Sequence, residues 1–186
     1  MQPSQKPPHL KTLLVVRHAK SSWKDETLAD RDRPLNKRGV RNAPEMGQRL
    51  LRRRLTPDTI ISSPAVRALS TAKAIAKALA FPVSEIIVEE DLYGCEPQDL
   101  IDVAALISTD FKIATLVSHN PAVTELANAL SVEPIDDVPT CGILTLQAKS
   151  WNTMATAELT DFDYPKKSQS DEVSQRRSEN DIEPIV

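Results

Sequence analysis

The sequence predicts an α/β domain, a layered sandwich with a mostly parallel central sheet flanked by helices. Two observations point there. Short runs of Leu, Ile, Val and Thr, as at Thr12 to Val16, Thr59 to Ser62 and Ala114 to Val117, are what a strand buried on both faces needs. Segments with apolar residues at helical spacing separate these runs, and strands alternating with helices favour parallel pairing through crossovers.

Taken in order, Asn36 caps a helix whose expected buried stripe is Val40, Ala43, Gly47 and Leu50. Pro44 falls inside it and predicts a bend or a later start. Arg52, Arg53 and Arg54 follow, where cations suit the helix dipole and a solvated helix end is expected. Ser63-Pro64 reads as a capping hydroxyl plus proline at the first helical position. Ala65, Leu69, Ala72, Ala76 and Leu79 form the stripe of that helix. Ile86 to Val88 predicts a strand, Pro97 to Ile107 a helix, and Pro121 to Leu130 another helix. Leu144 to Gln147 predicts a late strand, with Trp151 to Leu159 pairing at one edge.

A chain of 186 residues suits one domain with a sizeable core. Residues 11–160 are expected to form it, between a flexible N-terminus at 1–10 and a disordered acidic tail at 161–186. The tail holds seven acids and four bases and so carries the whole formal charge of −3. The rest is neutral, which argues against nucleic acid as a partner, because that surface needs a basic stripe. No apolar run approaches the ~20 residues of a membrane span, and the polar, Pro-rich start has no secretory h-region. Cys95 and Cys141 are the only cysteines and form no Cys-x-x-Cys pair, so neither a zinc site nor a disulfide framework is indicated. A cytoplasmic protein of unspecified oligomeric state is the expectation.

The chemistry lies at the ends of three expected strands. The first ends in Arg17-His18, the second runs through Ser62-Ser63 toward Arg67, and the third ends in Ser118-His119-Asn120-Pro121. Ligands of open α/β sheets sit beyond the carboxyl ends of the strands. Side-by-side strands would bring two histidines and two arginines to one edge, with a helix start offering N–H groups to an anion. Guanidinium groups match phosphate oxygens, and neutral imidazole is a nucleophile near neutral pH. Each feature alone has a plainer explanation, as a surface arginine, a loop histidine or an ordinary helix start. Their coincidence points to a phosphate site with a nucleophile in it.

Four motifs occur in order. They are Val16-Arg17-His18-Ala19-Lys20-Ser21; Asp30-Arg31-Asp32-Arg33-Pro34-Leu35 with Gly39; Ser62-Ser63-Pro64-Ala65-Val66-Arg67-Ala68 with Thr71-Ala72; and Ser118-His119-Asn120-Pro121. Together they resemble the histidine phosphatase superfamily, with its phosphoglycerate mutase-like fold, and most closely the compact SixA-type phosphohistidine phosphatase branch. The resemblance spans residues 11–159. It implies His18 as the nucleophile, Arg17 and Arg67 as phosphate-binding arginines, and His119 as a second catalytic and phosphate-binding histidine. No metal and no cofactor are implied.

The sequence departs from the family pattern at Ala19 and Ser118, where glycine is commoner, and at Lys24, where larger members place an asparagine. The proton donor of larger members falls in the interval holding Glu89-Glu90-Asp91-Leu92-Tyr93, where Asp91 ranks just ahead of Glu90. About 47 residues separate Ala72 from His119, too few for a large cap. An open site suits phosphohistidine displayed on another protein. A small phosphate ester as substrate and a non-catalytic phosphate-binding adaptor are the alternatives.

Overall fold

A computed structural model describes residues 10–167. Six strands form one sheet in the order β3-β2-β4-β1-β5-β6. In chain order the elements are β1 (Lys11–Arg17), α1 (Lys37–Arg52), β2 (Thr59–Ser62), α2 (Val66–Ala78), β3 (Ile87–Val88), α3 (Pro97–Ala105), β4 (Ile113–Ser118), α4 (Ala122–Leu130), β5 (Ile143–Ala148) and β6 (Glu158–Asp163). β1, β2, β3 and β4 run parallel, and β5 and β6 add antiparallel strands at one edge. The layered, mostly parallel sandwich is therefore as expected.

β1 is central, and its successive side chains serve opposite faces. Leu13 and Val15 join the core under α3 and α4, while Leu14 and Val16 join the core under α1 and α2. All four are fully buried, each contributing about 1.5–3 kcal/mol by the usual transfer scale. The strand ends that carry the expected site thus project from the firmest part of the molecule.

Several local expectations need correction. α1 starts at Lys37 under the Asn36 cap, whose Oδ1 accepts from the Gly39 N–H at 3.0 Å, so Pro44 does not delay it. Its buried stripe is Gly39, Ala43, Met46, Gly47 and Leu50; Val40 lies off it and is exposed. A Cβ on Gly47 would approach Ala78 Cβ to 2.7 Å, so this glycine lets α1 and α2 touch. Of the three arginines at the end of α1, Arg53 is not simply solvated: it pairs with Asp161, and Arg49, one turn earlier, reaches the buried Asp163 at 2.9 Å. These ion pairs tie the helix end to β6, which runs three residues past the expected domain end at 160. Trp151–Thr156 is a 3-10 segment, not a strand, and its Trp151 indole N–H donates to the Ser108 carbonyl at 2.9 Å. Edge pairing is made by β6 instead. Of the flexible start expected at 1–10, residues 1–9 lie outside the described residues, as does the expected tail from 168 onward.

Candidate active site

β2, β4 and β1 are neighbours in the sheet, so the three expected strand ends do converge. Lateral hydrogen bonds fix them. The His18 N–H donates to the Ser118 carbonyl and the Ser63 N–H to the Val117 carbonyl, both at 2.9 Å. Thr71 of α2 accepts from the Ala19 N–H at 2.9 Å and donates to the Arg67 carbonyl at 2.7 Å. One hydroxyl thus couples the turn after β1 to the start of α2.

His18 is held in one tautomer. Its Nδ1 lies 2.8 Å from the Ala19 carbonyl, which only accepts, so Nδ1 carries the proton. Nε2 is left with a lone pair, and the Arg67 Nε–H donates to it at 3.2 Å. Burial is the main reason its pKa falls to about 4; the Ala19 hydrogen bond opposes this, and the charges of Arg67, Arg17 and Arg33 add to it. His119 lies with its ring centroid 4.9 Å from that of His18. Its Nε2 pairs with Ser63 Oγ at 2.7 Å, and its Nδ1 is buried without a partner among the described residues. Burial again leads in lowering its pKa, to about 3, with His18 and Arg67 adding and Asp30 opposing. Both imidazoles are neutral near pH 7.

Arg17 gives one terminal nitrogen to both carboxylate oxygens of Asp137, each at 2.9 Å, and its buried Nε has no partner among the described residues. Unpartnered buried donors and acceptors are uncommon in folded proteins. Here two belong to expected site residues, Arg17 Nε and His119 Nδ1, and the His119 ring lies against that of His18. Arg67 is the second residue of α2. Ser63 does not cap that helix: Ala65 occupies the cap, and the Ser63 hydroxyl serves His119.

Three further residues shape the site without having been assigned a role from the sequence. Asp30 Oδ2 accepts from Arg67 at 2.8 Å and from the Tyr93 hydroxyl at 3.0 Å, and its Oδ1 accepts from Arg33 at 2.7 Å. Partial desolvation works against ionisation of Asp30, but the hydrogen bonds from Arg67 and Tyr93 outweigh it and hold the carboxyl below its usual range. Arg33 stacks on Trp23 and donates to Ser21. The spacing of Asp30 and Arg33 within the Asp-Arg-Asp-Arg-Pro-Leu run was the available signal.

From the acidic cluster the structure brings in the aromatic rather than the acids. Tyr93 meets His119 edge-on at 5.6 Å. Glu90 pairs with Arg31 at 2.7 Å on the surface. Asp91 is exposed, and its side chain makes no hydrogen bond or ion pair with His18, Arg17, Arg67 or His119.

Comparison with known proteins agrees with this architecture. The model of the histidine phosphatase superfamily (branch 1) matches residues 13–97, which include His18, Arg17 and Arg67; His119 lies beyond the match. An uncharacterized chloroplastic protein of Arabidopsis thaliana is 33% identical over 149 residues, covering 75% of this chain and 68% of its own. An uncharacterized protein of Mycobacterium leprae is 31% identical over 166 residues, covering 81% of this chain and all of its own. A crystal structure carrying the name phosphohistidine phosphatase SixA, from Agrobacterium tumefaciens, superposes with a TM-score of 0.72. It is 27% identical and covers 83% of this chain and 98% of that one. By sequence and by its phosphoglycerate mutase-like fold, which the SixA structure shares, the chain belongs to the histidine phosphatase superfamily.

Proposed function

We propose that this protein is a metal-independent, cytoplasmic phosphatase that removes phosphoryl groups from phosphohistidine on other proteins through a phospho-His18 intermediate. The observation that carries the reading is the tautomer of His18. With Nδ1–H spent on the Ala19 carbonyl, the lone pair of Nε2 faces the Arg67 guanidinium.

In the first step Nε2 attacks phosphorus as the P–N bond to the substrate imidazole breaks. Arg67, Arg17 and His119 hold the transferring oxygens, a charge-stabilising arrangement that acts without proton transfer. The substrate ring, protonated from solvent on its other nitrogen, leaves as neutral imidazole, a weak base whose conjugate acid has a pKa near 6.5. In the second step water attacks phosphorus, the P–Nε2 bond breaks, and inorganic phosphate leaves. The Nδ1–H bond to Ala19 persists throughout and disperses the charge of the phosphorylated ring.

Substrate class follows from the leaving group. An alkoxide is far more basic than imidazole and needs a positioned general acid, typically worth 10²- to 10⁴-fold. Asp30 is held ionised and is no proton donor, while Asp91 and Glu90 are the carboxyl candidates, both exposed. Phosphohistidine peptides should therefore turn over much faster than alkyl phosphates, in EDTA, with Asp91→Asn and Glu90→Gln barely changing the rate. Faster turnover of alkyl esters, with one carboxylate indispensable, would favour a small-ester phosphatase instead.

A further inference from the structure

Beside the phosphate site a cavity of about 470 Å³ opens between the turn after β1, the first half of α1 and the segment following β6. Arg17 lines it, so the cavity begins where the phosphoryl clamp ends. Its volume falls within the range of ligand pockets, roughly 300–1,000 Å³. Its walls carry an unbalanced set of charges. Lys20, Arg38, Arg41 and Lys166 line it, and none of these four side chains makes a hydrogen bond or ion pair among the described residues. The two acids present are already engaged: Glu45 with Arg49 at 3.0 Å, and Asp137 with Arg17.

We propose that this cavity recognises a second anionic group of the substrate, namely carboxylate side chains flanking the phosphohistidine of a partner protein. The inference rests on the phosphohistidine reading given above and adds to it what the enzyme selects. Arg38 and Arg41 stand one turn apart on α1, so they present guanidinium groups to one side. Like charges gathered in a concave wall repel one another unless an anion sits among them, and a cleft of one sign raises the local concentration of the opposite one. Residues 1–160 are neutral only with Lys20, Arg38 and Arg41 counted, so the excess of positive charge is local to this cleft. A phosphorylated side chain seated on His18 would carry its flanking residues past Arg17 into this field. Carboxylates are the anions a polypeptide supplies, and they suit the guanidinium fork.

The test compares phosphohistidine peptides bearing Asp and Glu flanks with matched Asn and Gln peptides, using wild type and the Arg38→Gln/Arg41→Gln double variant. Both arginines are exposed and their side chains unpaired among the described residues, so the variant should melt with wild type. Wild type should favour the acidic peptide roughly tenfold in kcat/KM, chiefly through KM, with the preference shrinking as salt rises. The double variant should lose the preference while keeping its rate on the neutral peptide. Equal turnover of both peptides by wild type, or a preference that survives in the variant, would overturn the proposal. Failure on every phosphohistidine peptide would instead overturn the underlying reading. If a small bisphosphate were then hydrolysed faster than a monophosphate, in an arginine-dependent way, the cavity would belong to a small ester and the proposal would fall with the reading.

Discussion

Arg67 donates its Nε–H to His18 Nε2 at 3.2 Å, while a terminal nitrogen holds the Asp30 carboxylate at 2.8 Å. The guanidinium plane is therefore fixed from both ends before any substrate arrives. Preorganised charge of this kind is what stabilises a transferring phosphoryl group without reorganisation at the moment of reaction. Arg67→Ala should slow turnover by roughly 10²- to 10³-fold, the scale for losing one such donor. Steady-state kinetics would check this, and a variant within threefold of wild type would mean that Arg67 does not touch the phosphoryl group.

Asp30 acts through Arg67, so its removal should show in kcat rather than in anion affinity. Asp30→Asn should lower kcat about tenfold by loosening Arg67, in line with the cost of a disturbed orienting contact. Inorganic phosphate should inhibit the variant at least as well as wild type, because a negative charge beside the clamp has gone. Weaker phosphate inhibition with an unchanged kcat would contradict this positioning role.

The histidines set a pH signature. In the fold His18 has a pKa of about 4 and His119 of about 3, whereas both would be near 6.5 when unfolded. Between those values the unfolded chain binds more protons. Stability is thus complete above about 6.5 and is lost as pH falls toward 4. An NMR titration of the His18 ring should show the neutral form down to about pH 5, with a midpoint near 4. A midpoint near 6.5 would mean that burial and the neighbouring arginines do not act as described.

Gly39 ties α1 to the turn that follows His18. A Cβ there would lie 2.3 Å from the Lys20 carbonyl oxygen, a backbone atom that also accepts the Asn36 N–H. Gly39→Ala must push the Lys20 backbone, two residues from His18. Overpacking of this kind typically costs 1–3 kcal/mol. Denaturant melts should show that loss, and kcat should drop with it. An alanine variant with wild-type stability would show that the turn can shift freely.

Much of this molecule was legible because strand-end chemistry survives in one dimension. Arg17-His18 and Ser118-His119 each follow a buried run, so both the sheet and the converging edge could be read from apolar patterning. The Arg67 contact was also accessible, since a helix start points its first turn at the same edge. Asp30 and Tyr93 were not, because their roles depend on two loops folding over the sheet edge from 63 residues apart. The Arg53 pairing with β6 was hidden for a similar reason: the acids that meet it lie in a segment that reads as tail. Val40 failed by about one helical position, a small error in phase that the close approach of Gly39 to the Lys20 backbone settles.

The central claim is a covalent phosphoryl group on Nε2 of His18. Its most direct measurement is a rapid quench of the full-length enzyme with a phosphohistidine peptide carrying labelled phosphorus, at alkaline pH, followed by peptide mapping. The label should appear transiently on the peptide containing His18, decay at the rate of phosphate release, and be absent from His18→Ala. Full turnover with no labelled enzyme at any time, or turnover by His18→Ala at the wild-type rate, would contradict the mechanism.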